Sequence, residues 1–271
     1  LLKQAEPLLP KDYVVARQQM VLTPYRFASA DDVQPVPSSS VGVQKEEQLA
    51  CLTLSAGRMS VTFNKSTGWM DYLDIDGQPV FEKGFSLKPD FWRATTDNDY
   101  GAGIQHRLAA WKQPEMKLVS LTDSAKAGVH TVTANYEMPG VKANLQLAYT
   151  LTADGRLIIS QKLDVDENAQ QQPQLPRFGM QLVMPETFHR IRYYGRGPGE
   201  NYTDRHDSEF IGLYTQNVSD QYWGYVRPQE SGNHTDIRWW EVMDENSGKG
   251  LKFYGISAPL ECSSLNYLTE D

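Results

Sequence analysis

From about residue 45 onward, apolar and polar side chains alternate along most of the chain. A period of two puts successive side chains on opposite faces of a strand, so this pattern predicts half-buried β-strands. Met59, Val61 and Phe63 share one face; "NKSTG" (Asn64–Gly68) then turns the chain. Trp69, Leu73 and Ile75 continue at even spacing, interrupted by Asp71. Asp76 and Gly77 both tolerate positive φ and predict a hairpin, with Val80 and Phe81 on the return strand. The clearest strand is Val141–Leu151. There Val141, Ala143, Leu145, Leu147, Tyr149 and Leu151 face one way, with Lys142, Asn144, Gln146 and Thr150 on the other. A turn at Asp154–Gly155 followed by Leu157, Ile159, Leu163 and Val165 makes this a long hairpin. Further strands are expected at Phe178–Met184, Ile191–Tyr194, Ile237–Met243 and Leu251–Ile256. One helix of about three turns is expected over Gly103–Lys112. Many strands and one helix predict an all-β fold, a large antiparallel β-sandwich.

The first 44 residues read differently. Lys11–Leu22 alternates Tyr13, Val15, Arg17 and Gln19 against Val14, Ala16, Gln18 and Met20. Pro7 and Pro10 discourage a helix ahead of it. A strand without neighbours is not stable alone, so this one is expected to close a sheet of a preceding domain. Proline, serine and glycine crowd Val33–Gly42, which is linker chemistry. The expected division is a tail at 1–24, a linker at 25–44 and a β-sandwich at 45–271. Leu1, Leu2, Leu8, Leu9, Val15 and Met20 would then be stranded, and self-association is expected. The chain opens on Leu1 rather than Met, so its natural N-terminus is expected upstream. Cytoplasm and periplasm both stay open as locations.

Composition narrows the classes. The 271 residues are 40% hydrophobic, enough for a substantial core. A net charge of -8 argues against nucleic-acid binding, which needs clustered Lys and Arg. No apolar run is long enough to span a membrane as a helix. Cys51 and Cys262 are too few for a disulfide framework or a structural zinc site, and are expected as buried free thiols.

Three polar segments carry candidate chemistry. "FWRATTDNDYGAG" (Phe91–Gly103) sets Arg93, Asp97, Asn98 and Asp99 beside two aromatics. It does not follow a calcium-loop pattern. It reads either as an Asx-rich turn bonded to its own backbone, or as a sugar-facing loop in which Trp92 meets pyranose C–H groups. "YYGRGPGENYTDR" (Tyr193–Arg205) has glycines spaced G-x-G-x-G, which excludes a dinucleotide fingerprint. Glu200 and Asn201 hang from its backbone, and an Arg–carboxylate network holding a loop is the competing reading. "YVRPQESGNHTDIRWWEV" (Tyr225–Val242) gathers Glu230, Asn233 and His234 around a Gly232 turn. Of the adjacent Trp239 and Trp240, one is expected in the core, the other exposed or covered by a partner domain. His106, His130 and His189 read as structural.

Taken in order, these three segments resemble the glycoside hydrolase family 2 β-galactosidases of the large bacterial type. They are similar to landmarks of that family's last domain, a supersandwich related to galactose mutarotase. "KDYVVARQQMVL" likewise resembles the closing strand of the immunoglobulin-like domain before it. The resemblance implies an accessory C-terminal domain of a retaining enzyme that hydrolyses terminal non-reducing β-D-galactose residues. The catalytic carboxylates and a divalent metal, Mg or Ca, would belong to a central barrel outside this chain. No catalytic residue, metal ligand or cofactor is therefore expected here. Substrate-proximal candidates are Trp92, Arg93, Asp97, Asn98, Asp99, Gly101, Glu200, Asn201, Glu230, Asn233 and His234. The implied partners are the enzyme's own barrel and immunoglobulin-like domains and, through the whole enzyme, its β-galactoside. A homo-oligomer is compatible with this reading; nucleic acid and membrane partners are not. The family's final strands, and a tryptophan it places at the sugar site, would follow Asp271. An autonomous carbohydrate-binding module is the alternative, and a free mutarotase ranks below it for want of an acid–base set.

Overall fold

The computed structural model describes residues 1–29, 42–166 and 174–269. Among these, seventeen strands form five antiparallel sheets, so the chain is all-β. The first sheet is a meander of β1 (Gln44–Glu47), β2 (Cys51–Ala56), β3 (Met59–Asn64), β4 (Met70–Ile75) and β5 (Gln78–Pro79). The β4–β5 hairpin turns through Asp76 and Gly77 at φ 50 and 74. After β6 (Lys88–Asp90) come α1 (Asp97–Gly101), α2 (Ile104–Arg107) and a 3-10 turn at Ala109–Trp111. A second meander follows: β7 (Lys117–Lys126), β8 (Val129–Met138), β9 (Ala143–Thr152) and β10 (Leu157–Val165). Then come β11 (Gly179–Gln181), β12 (Arg190–Gly197), β13 (Phe210–Asn217), β14 (His234–Ile237), β15 (Trp239–Asp244), β16 (Lys249–Tyr254) and β17 (Leu260–Cys262). They make a four-stranded sheet in the order β13-β12-β15-β16, and the pairs β6–β11 and β14–β17.

The two meanders pack face to face. Their inner faces bury Leu52, Leu54, Val61, Phe63 and Leu73 on one side and Val132, Ala134, Leu145, Leu147 and Tyr149 on the other. Phe63 meets Tyr149 with ring centroids 5.1 Å apart, and Trp69 stacks on Tyr136 at 4.5 Å. The alternation read at Val141–Leu151 is the alternation observed: every second residue from Val141 to Leu151 is buried. Val141 itself sits in a 3-10 turn, Pro139–Val141, because Lys142 takes a left-handed φ of 47. The β10 side chains are less buried than expected. As an edge strand bonded only to β9, it leaves Ile159 and Val165 exposed.

Two other expectations are corrected. The helix over Gly103–Lys112 is broken into α2 and the 3-10 turn, and a separate helical turn, α1, precedes it. Gly103 at φ 70 interrupts the helical path. The strand expected at Ile237–Met243 is two strands, because the chain breaks pairing at Arg238 after Asp236 at φ 56. Lys11–Leu22, read as the closing strand of a preceding domain's sheet, pairs with no strand of this chain. Those residues run outside every sheet, with Val14, Val15, Met20, Val21 and Leu22 exposed. Gln19 gives that run one anchor: its side-chain amide donates to Ile211 O at 2.7 Å and accepts from Ile211 N at 2.8 Å, on edge strand β13.

The expected linker splits as well. Tyr25 packs edge-on against Tyr194, and Ala28 bridges Ile256 and accepts from Ser257 N at 2.7 Å. Residues 30–41, most of the expected linker, lie outside the described residues. Both cysteines are free and partly buried.

Strand β14 crosses over β12 closely enough to require a residue without a side chain. A Cβ on Gly195 would lie 3.1 Å from Ile237 Cα and 3.2 Å from Asp236 O. Backbone cannot yield as a side-chain tip can, so Gly195→Ala is expected to cost about 2–3 kcal/mol or more. A denaturant midpoint equal to that of the unmodified chain would show that β14 shifts freely.

Candidate functional site

The three polar segments, distant along the chain, meet in space. The first follows β6. Phe91 packs against Trp111 and Phe178. Trp92 is only 7% exposed, so most of its face is spent in the core. Beyond it the chain winds into α1, capped reciprocally. Asp99 N donates to Thr96 Oγ1 at 3.3 Å and Thr96 N to Asp99 Oδ2 at 2.9 Å. Arg93 grips the same carboxylate with both terminal nitrogens, at 3.0 and 2.7 Å. Burial pushes the Asp99 carboxyl up, but the Thr96 amide and Arg93 outweigh it and hold the group below its usual value. Asp97, Asn98 and Gly101 are left exposed at the tip. Asp97 lies 3.5 Å from Arg227.

The second segment leaves β12. Glu200 accepts from Arg205 at 2.7 Å, Gly232 N at 2.8 Å, Tyr202 at 3.4 Å and, closely, Tyr225. Asn201 is fully buried and fully used. Its amide donates to Arg196 O and Gly199 O, and its oxygen accepts from the Thr235 amide and hydroxyl.

The third segment ties the other two together. Asn201 N donates to Asn233 O at 2.7 Å, and Asn233 Nδ2 to Asn201 O at 2.9 Å. His234 is 1% exposed, with Nδ1 3.1 Å from Arg196 O and Nε2 2.7 Å from Gln221 Oε1. Burial pushes its imidazole below the usual range, against the Arg196 carbonyl, which pulls the other way. Glu230 is 8% exposed. One of its oxygens accepts from Arg177 at 2.5 Å and the other from Ala94 N at 3.1 Å. Arg177 also bonds Asp90 at 3.1 Å.

Part of this assembly faces a concave surface of about 3040 Å³. That is several times the roughly 300–1,000 Å³ of a small-molecule pocket. Trp92, Arg93, Asp97, Asn98, Asp99, Glu230 and Asn233 line it, whereas Gly101, Glu200, Asn201 and His234 do not. Sequence reasoning missed Arg177, Gln221 and Gln229. A lone arginine in "LPRFGM" carries no local signal, and only its partners 53 and 87 residues away give it a role.

The arrangement is a scaffold of saturated polar groups. Among the described residues, no three His, Cys, Asp or Glu side chains converge as a metal would need. The Asp97–Asp99 run does not fit a cation, because Asp99 is taken by arginine and backbone while Asp97 turns to Arg227. Among the described residues, no helix is long and apolar enough to cross a membrane.

By sequence, this all-β frame belongs with the β-galactosidases of glycoside hydrolase family 2. Residues 55–271 match the family model of the β-galactosidase small chain, and the chain belongs to that family. It is 31% identical over 257 residues to a β-galactosidase of Priestia megaterium, covering 94% of this chain and 24% of that protein. With a β-galactosidase of Lactobacillus delbrueckii subsp. bulgaricus it shares 32% over 221 residues, 80% of this chain and 21% of the other. A Streptococcus thermophilus β-galactosidase aligns over all of this chain at 28% identity. The chain thus spans about a quarter of the length of these relatives.

Proposed function

We propose that the chain is the accessory C-terminal domain of a retaining β-galactosidase acting on terminal non-reducing β-D-galactose. Its task is to shape the mouth of an active site whose carboxylate pair stands on the enzyme's barrel. The family match over 55–271 carries this reading, and the rigidly braced α1 turn on the rim of the concavity supports it. Residues 45–271 are the mutarotase-like supersandwich. Residues 1–24 are the tail of an immunoglobulin-like domain, which would supply the missing partner for Lys11–Leu22. In the whole enzyme the barrel would perform double displacement through a glycosyl-enzyme, with its own Mg or Ca. The rim residues Arg93, Asp97, Asn98, Asp99, Glu230 and Asn233 would border the sugar's approach. Glu200, Asn201 and His234 would support them from behind, and Trp92 would back them from the core while lining the same concavity.

Gly101 gives the test. No atom lies within 4 Å of where its Cβ would stand, and its φ is not positive. Alanine therefore fits, and it stiffens a helical turn by up to about 1 kcal/mol. In the full-length enzyme Gly101→Ala is expected to change kcat or KM for a β-galactoside about threefold or more. The melting temperature should move by less than ~3 °C. Lost stability with normal kinetics would make the turn purely structural and refute its placement at the mouth.

A further inference from the structure

We propose that Glu230 is the positioning residue of the α1 turn, holding it at the rim through the Ala94 amide. This rests on the reading that the turn borders the active-site mouth.

The turn is preassembled. Its capping box and the Arg93–Asp99 pair close on themselves, so α1 can move only as a unit. Its attachment to the fold is therefore made by other residues. At its C-terminal end the pivot is Gly103, in the left-handed region at φ 70. At its N-terminal end the attachment is a carboxylate with its two oxygens divided. Glu230 Oε1 is fixed by Arg177, which is itself fixed by Asp90 of β6. Glu230 Oε2 takes the Ala94 N–H, two residues before the Thr96 cap. Asp90 accepts from Trp92 N at 3.1 Å, so the strut and the segment it holds share one base. Two lighter contacts come from the same loop: Gln229 Oε1 accepts from Asp97 N at 3.2 Å, and Arg227 lies 3.8 Å over the Tyr100 ring. Each of these three contacts to the turn thus comes from a side chain of 227–230. A carboxylate suits this place because it accepts on both sides at once. An amide of the same shape has one acceptor and would satisfy either Arg177 or Ala94, but not both.

The full-length enzyme carrying Glu230→Gln tests this by two readouts, backbone hydrogen exchange and β-galactoside kinetics. Exchange at Ala94 and through 97–101 is expected to speed up tenfold or more, while the interior amides of β9 keep their protection. The value of kcat/KM is expected to fall about threefold or more. Glu230→Asp keeps the charge beside Arg177 but is one methylene short of Ala94. It is expected to loosen the same amides, and it carries the test if the glutamine variant does not fold. Unchanged exchange at Ala94 in a folded variant overturns the proposal whatever the kinetics. Faster exchange confined to the turn, with unaltered kinetics, upholds Glu230 as the strut and overturns the turn's place at the mouth instead.

Discussion

The isolated chain is expected to hydrolyse a chromogenic β-galactoside no faster than a buffer blank. A retaining glycosidase needs two carboxyl groups about 5–5.5 Å apart, one with a proton to give and one with a lone pair free to attack. On the concave face Asp90 and Glu230 share a partner: Arg177 stands between them and bonds both. The second Glu230 oxygen is taken by the Ala94 amide. Asp99 is held by Arg93 and the Thr96 amide, and Glu200 by four donors. Groups saturated in this way neither donate a proton to a leaving oxygen nor attack a sugar carbon. Enzymes accelerate such reactions by about 10⁶-fold or more, so the contrast with the whole enzyme should be nearly complete. Turnover above the blank that survives repurification would mean that a carboxylate pair has been overlooked.

The two adjacent tryptophans should differ sharply on removal. Trp240 is 2% exposed, stacked on Tyr193 at 4.6 Å and bonded through Nε1 to Ser264 at 3.1 Å. Trp240→Ala is expected to cost about 3–5 kcal/mol. That corresponds to a melting shift on the order of ten degrees. Because Tyr193 and His234 both pack against this ring, the Asn201–Asn233 bracket should loosen with it. Trp239 lies on the opposite face of β15, between Lys252 Nζ at 3.9 Å and Arg192 at 5.4 Å from its centroid. A cation–π contact at a part-exposed site of this kind contributes about 0.5–1 kcal/mol, so Trp239→Ala should shift the denaturant midpoint far less than Trp240→Ala. Comparable losses at both positions would mean that a further surface covers Trp239 in solution.

The site was legible as three segments and not as an assembly. For "TTDND" the reading of an Asx-rich turn bonded to its own backbone holds at Asp99, which needs only the Thr96 amide three residues back. Its brace was invisible. The Ala94–Glu230 bond spans 136 residues, and no periodicity or composition carries a pairing at that distance. His234 stood out in the sequence for its place between turn residues and a polar strand. The structure instead seals it against Gln221 and Arg196 O.

What the sequence determined by itself is whatever a few neighbouring residues decide: the period-two burial of Val141–Leu151, the turn at Asp76–Gly77, the all-β class. Steric limits on φ and the alternation of Cβ direction act within a handful of residues, so they can be read in order along the chain. Tertiary structure decided which strands became edges, which of two tryptophans was buried and whether an alternating run became a strand at all. Lys11–Leu22 alternates well enough, yet it stays unpaired because a strand is stabilised by its neighbours' hydrogen bonds and by a face to bury. The meeting of Arg177, Glu230 and Ala94 was decided in the same way. A buried carboxylate is tolerable only where donors from separate elements arrive together, and that is a property of the folded chain.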